Sequence, residues 1–121
     1  MTEREAARTL AHPGTAEIRL EGVLHALSDA VRISIVRDLA ATDAELACSS
    51  FDLPVTKSTT THHFRVLRES GLVRQTYRGT TKLNALRRAD LESLFPGLLD
   101  AVLTAADSEA SRLEAAGTGP T

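Results

Sequence analysis

The stretch KSTTTHHFRVLRESGLV, residues 57–73, constrains the fold of this chain more than any other. Thr60, His63, Phe64 and Leu67 stand at i, i+3, i+4 and i+7, the spacing of one helical face. Lys57, Ser58, Thr61, His62, Arg65 and Arg68 fall on the other side. Ser70-Gly71 ends the helix, with Gly71 suited to the left-handed position beyond the last turn. Leu72 to Tyr77 and Thr80 to Leu86 then read as two strands, and Arg78-Gly79 between them is a turn signal. An amphipathic helix therefore runs directly into a hairpin.

The flanking sequence reads as helices. Ile18, Leu20, Val23, Leu24 and Leu27 form an approximate helical stripe, with His25 expected as a partly buried structural residue. Ser28-Asp29 interrupts the stripe and can cap a second helix, in which Val31, Ile33, Ile35, Val36 and Leu39 are apolar. Thr42 or Asp43 is placed to cap a short third helix through Glu45-Leu46-Ala47-Cys48, and Phe51-Asp52-Leu53-Pro54 reads as a linking turn. After the hairpin, Asp90 can cap a short turn through Leu94. Pro96 suits the first position of a last helix lined by Leu98, Leu99, Val102, Leu103, Ala106 and Leu113. The fold predicted is mainly α (α+β): a winged helix-turn-helix with a two-stranded β-hairpin wing. The expected organisation is a flexible N-terminal arm over residues 1–14, one domain over 15–116 and a disordered tail over 117–121. A chain of 121 residues is long enough for one modest core.

Charge is unevenly spread. Between Lys57 and Arg88 lie eight basic residues against one acid, Glu69, a balance of +7 that leaves −9 for the rest of a chain whose total is −2. A basic helix and hairpin in an acidic protein are a candidate footprint for a polyanion. The DNA major groove, about 12 Å wide, admits a helix whose outer face is free of bulky apolar side chains. That explains the opening threonines. Their poor helix propensity costs roughly a few tenths of a kcal/mol per residue, and packing through Phe64 and Leu67 can offset it. Their hydroxyls can cap the helix or bond phosphates and base edges. On this reading Lys57, Ser58, Thr61, His62, Arg65 and Arg68 on the helix and Arg78 and Lys82 beside the hairpin tip are the candidate DNA contacts.

Other chemistries find less support. No nucleophile-elbow, phosphate-loop or dinucleotide glycine motif is present, so no enzyme is expected. Aromatic residues are only 3%, too few for recognition of RNA by stacking. His62 and His63 point about 100° apart on a helix and do not chelate one ion together. His62 is read as a DNA contact and His63 as packing beneath its helix. Cys48 is the single cysteine, which fits a reducing cytoplasm and cannot make an intramolecular disulfide. It is read as a small buried residue. Apolar runs are too short to span a bilayer and no secretory signal is expected, so the protein is placed in the cytoplasm without membrane contact.

The segments ALSDAVRISIVRDLA, KSTTTHHFRVLRESGLV and YRGTTKLNAL resemble the ArsR family of bacterial winged-helix repressors, over roughly residues 17–106. The most specific part is a pattern met by Ser58, Thr61, His62, His63, Phe64, Leu67, Leu72 and Val73. The resemblance implies a homodimer built from the first and last helices, binding a palindromic double-stranded operator through Lys57, Ser58, Thr61, His62 and Arg65, and repression. Founding members of that family sense metals through paired thiols or through Asp and His on the last helix. Here serines follow Cys48, and no His lies between Leu91 and Thr121, so no metal or other cofactor is expected. The alternatives are a thiol- or metal-responsive repressor using Cys48, and a winged-helix protein–protein interaction module without DNA binding. The inducing signal has no mark in the sequence.

Overall fold

The computed structural model describes residues 8–117. Residues 1–7 of the arm expected over 1–14 and residues 118–121 of the tail expected over 117–121 lie outside the described residues. In chain order the elements are β1 (Arg8–Thr9), α1 (Leu20–Ala26), α2 (Ala30–Ala40), β2 (Leu46–Ala47), α3 (Lys57–Glu69), β3 (Val73–Arg78), β4 (Thr81–Leu86), α4 (Arg88–Leu94) and α5 (Leu98–Gly117). Single 3₁₀ turns occupy Thr15–Glu17 and Cys48–Ser50. The architecture is the α+β winged helix-turn-helix that the periodicities predict.

α2 starts where Asp29 places its carboxylate over the helix end, accepting from the Val31 N–H at 2.8 Å and the Arg32 N–H at 3.1 Å. Ile35, Val36 and Leu39 of α2 meet Val23, Ala26 and Leu27 from α1 and its end, and Phe64 and Leu67 from α3, in one core. Arg32 is in that core too, only 7% exposed. Its Nε donates to the Ala26 carbonyl at 2.7 Å, Nη2 to the His25 carbonyl at 3.3 Å, and Nη1 to His63 Nδ1 at 3.1 Å. One guanidinium thus ties the end of α1 to the underside of α3. The His25 side chain is exposed, not partly buried as expected; its backbone carbonyl does the structural work.

The end of α3 obeys the sequence closely. The Leu72 N–H bonds the Leu67 carbonyl and the Gly71 N–H the Arg68 carbonyl, the paired closure of a Schellman motif. Gly71 has φ +91°, and a Cβ there would lie 2.5 Å from Ile18 Cγ1. Two independent constraints therefore demand glycine. The β3–β4 hairpin pairs Arg78 with Thr81 across a two-residue turn in which Gly79 takes φ +65°. A positive φ on the first turn residue alone fits the type II′ class that suits hairpin twist.

Four local expectations are corrected. Leu46–Ala47 is a strand rather than helix, pairing Leu46 with Asn84 and Ala47 with Leu83. A four-residue segment is too short to hold a helix by itself, and the open edge of β4 offers it hydrogen bonds. Arg8–Thr9 is likewise recruited from the expected arm, pairing with Tyr77 and Thr76 to complete an antiparallel sheet of order β1-β3-β4-β2. Asp90 lies inside α4 rather than capping it, accepting from Arg87 Nε at 2.9 Å and Thr15 Oγ1 at 3.1 Å. Pro96 precedes α5 rather than opening it. Gly97 takes φ +80°, which no continuing helix tolerates, so the helix begins at Leu98.

α5 buries little. Leu99 is its one buried residue, Val102 and Leu103 are half-covered, and Leu113 is 61% exposed. On α1, Leu20 and Leu24 are 45% and 47% exposed. Arg37 Nε reaches Asp107 Oδ1 at 2.8 Å and pins α5 to α2.

Candidate nucleic-acid interface

The inner face of α3 sinks His63, Phe64 and Leu67 into the core. That anchoring fixes which side looks out. Lys57, Ser58, Thr61, His62 and Arg65 are all exposed on the outer side. Thr56, one residue before the helix, is the cap: its Oγ1 accepts from the Thr59 N–H at 3.2 Å. The Thr60 and Thr61 hydroxyls donate back to the carbonyls of Thr56 and Lys57 at 3.0 and 3.1 Å. This back-bonding satisfies the hydroxyls locally while each oxygen keeps its capacity to accept.

The wing tip places Arg78, Gly79, Thr80 and Thr81 in solvent. Lys82 is half-buried, with Nζ 5.4 Å from the centroid of the Tyr77 ring, a cation–π geometry that props the ammonium against the wing. Arg68 behaves differently from the other candidates. It is half-buried, and its Nη1 donates to Gln75 Oε1 at 2.7 Å. It therefore joins α3 to β3.

Gln75 opens a chain of polar contacts through the sheet. Gln75 and Asn84 are fully buried and face each other across β3 and β4. Gln75 Nε2 donates to Asn84 Oδ1 at 2.8 Å, and Asn84 Nδ2 to the Leu46 carbonyl at 3.1 Å and to Cys48 Sγ at 3.2 Å. The Gln75 backbone N–H donates to His12 Nε2 at 2.8 Å. Buried amides of this kind are stable only when satisfied, and these fix the register of the wing against α3. Cys48 is half-buried at the end of this chain.

The basic balance of the segment is partly spent inside the fold. Arg87 is buried, bonding Asp90 and the Pro13 carbonyl at 2.8 Å. Arg74 lies 3.9 Å from the same carboxylate, and Arg88 donates to the Ala40 carbonyl at 3.0 Å. With Arg68 held by Gln75, Lys57, Arg65, Arg78 and, partly covered, Lys82 face solvent around α3 and the wing tip, as does Arg74 on β3. The Arg87 hydrogen bond, against a desolvation cost and with help from Thr15, holds the Asp90 carboxyl below its ordinary value. Burial pushes the Asp29 carboxyl up, but the N–H groups of Arg32 and Val31 and the Arg32 guanidinium bring it below its ordinary value.

Sequence reasoning missed Arg32, Gln75, Asn84 and His12. Two signals were present. Arg32 shares the i, i+3, i+4, i+7 face with Ile35, Val36 and Leu39, and Gln75 shares the inward phase of β3 with Val73. A polar residue on an apolar phase marks a buried hydrogen-bonding group. Among the described residues, no three His, Cys, Asp or Glu side chains gather where one ion could hold them, and no helix is long and apolar enough to cross a membrane.

Residues 27–76 match the helix-turn-helix domain family, a span from the end of α1 through α3 into β3. The uncharacterised HTH-type transcriptional regulator YceK of Bacillus subtilis (strain 168) is 34% identical over 80 residues, covering 64% of this chain and 80% of that relative. The chain belongs to the helix-turn-helix transcriptional regulators.

Proposed function

We propose that this protein is a cytoplasmic, dimeric repressor of the ArsR type that binds a palindromic operator without a bound metal. The observation that carries the DNA reading is the two-sided character of α3: His63, Phe64 and Leu67 buried, with Lys57, Ser58, Thr61, His62 and Arg65 all exposed on the other side. Those five side chains enter the major groove, where each good bidentate contact discriminates by about 1–3 kcal/mol. Arg78 and Lys82 lie over the neighbouring backbone, where charge counts more than base identity. Arg68 acts as a positioning residue, setting the angle between α3 and the wing through Gln75. The exposed leucines at 20, 24 and 113 support pairing of two copies through α1 and α5, which places two recognition helices about 34 Å apart. The repressing sign comes from the ArsR resemblance.

Filter binding of a selected site and of random duplex, each across a salt series, tests this. Arg65→Ala should reduce specific binding far more than nonspecific binding. Arg78→Ala should weaken both and lower the salt slope by about 0.9 per lost phosphate contact, near 2 for a dimer. If the two variants prove indistinguishable on both DNAs, the division between helix and wing fails. Selected sites lacking a dyad, or sedimentation as a 13.0 kDa species only, would refute the dimer.

A further inference from the structure

Between the start of α3 and the wing lies a cleft of about 670 Å³. Its floor is apolar, formed by Phe51, Leu53, Val55 and Phe64, with the two phenylalanine rings edge to face at 5.3 Å. Lys57 on the helix side and Lys82 on the wing side also line it, against one carboxylate, Asp52. The volume falls within the roughly 300–1,000 Å³ of small-molecule sites, which combine apolar walls with a few convergent polar groups.

We propose that this cleft binds a small amphipathic carboxylate, its apolar body on Phe51, Leu53, Val55 and Phe64 and its anionic group met by Lys57 and Lys82. The charge balance of the lining selects an anion over a cation, and the mixed surface selects an amphiphile over an inorganic ion. The Tyr77 ring beneath Lys82 keeps that ammonium at the cleft rather than free in solvent. Lys57, Thr61 and Lys82 line the cleft and are also proposed DNA contacts. Ligand and duplex therefore exclude each other, and the ligand acts as an inducer by direct competition. This regulatory half rests on the DNA-binding reading; the binding half does not.

The test uses 1-naphthoate and its neutral counterpart 1-naphthalenemethanol as probes, by calorimetry and amide NMR on the full chain without DNA. Naphthoate should bind about tenfold more tightly than the alcohol, the scale of one charge-assisted contact. Shifts should concentrate at Phe51, Val55, Phe64 and Thr80–Lys82. Combining Lys57→Gln with Lys82→Gln should abolish the preference for the anion, and Val55→Trp, which fills the cleft, should abolish binding of both probes. The glutamine pair removes only charge and decides the matter if the tryptophan variant fails to fold. Equal affinity for the two probes, no binding, shifts located elsewhere, or a preference that survives the glutamine pair would each overturn the site. Saturating naphthoate should then weaken duplex binding by the factor that its own affinity and concentration dictate. Simultaneous binding of naphthoate and duplex would overturn the exclusion. A protein that binds naphthoate as described but no duplex would refute the DNA reading and leave the cleft standing.

Discussion

Arg32→Ala is the perturbation whose cost the structure defines best. The guanidinium donates to the Ala26 and His25 carbonyls and to His63 Nδ1 from a site 7% exposed. A guanidinium only donates, so Nδ1 is the acceptor and the ring proton sits on Nε2. Truncation leaves the Ala26 carbonyl and Nδ1 without their donor and removes the packed aliphatic stem. Each buried acceptor left unsatisfied costs about 1–3 kcal/mol, and with the lost stem the expected loss is about 4 kcal/mol, a large part of the roughly 5–15 kcal/mol that holds a domain. In urea, with a slope of about 2 kcal/mol per molar, the unfolding midpoint should fall by about 2 M. Arg32→Met keeps most of the stem and should recover about 1 kcal/mol. His63→Leu removes only the acceptor and should cost about 1–3 kcal/mol. Combining Arg32→Met with His63→Leu should cost at least about 1 kcal/mol less than the sum, because both remove the same bond. All variants are compared at one protein concentration, since association would add to stability. A loss under about 1 kcal/mol for Arg32→Ala, or strict additivity in the double mutant, would refute Arg32 as the tie between α1 and α3.

Acid should act at two further places. The Asp90 carboxyl is lowered from its ordinary 3.8, so its contribution is complete above that value and is lost as pH falls through the lower, folded value; Asp90→Asn should remove this limb from the pH–stability curve. His12 is lowered from 6.5 by burial, opposed by the neighbouring Leu10 backbone and reinforced by Arg74, Arg87 and Arg68. The unfolded chain thus takes the proton first, and the contribution of neutral His12 is complete above 6.5 and lost as pH falls below it. Protonation also removes the acceptor for the Gln75 N–H, so exchange at that amide should gain extra acid-side opening, and His12→Ala should abolish the pH dependence of that opening. Glycine substitutions give a contrast within one hairpin region. Gly79→Ala meets open space and should cost only the roughly 1–2 kcal/mol of its positive φ. Gly71→Ala adds a Cβ 2.5 Å from Ile18 and should cost clearly more by denaturant unfolding.

Much of this molecule is written locally. The 3.6-residue phase of residues 57–69 alone determined which side of α3 is buried, because apolar side chains at i, i+3, i+4 and i+7 have one way to leave water. Gly71 and Gly79 marked the helix end and the hairpin turn, since each needs a positive φ that other residues resist. Asp29 announced the start of α2 in the same local way. What the sequence left open depended on partners far along the chain. Leu46–Ala47 and Arg8–Thr9 became strands because β4 and β3 presented unpaired edges, and an edge exists only after the hairpin has formed. Arg68 shares the phase of the outer face, yet Gln75 draws it inward from across the α3–β3 junction. Arg32 shares the phase of the core, and its charge is bearable there only because the end of α1 and His63 converge on it. Periodicity settles which side of an element faces inward, but only the assembled fold decides which polar group finds its partner there.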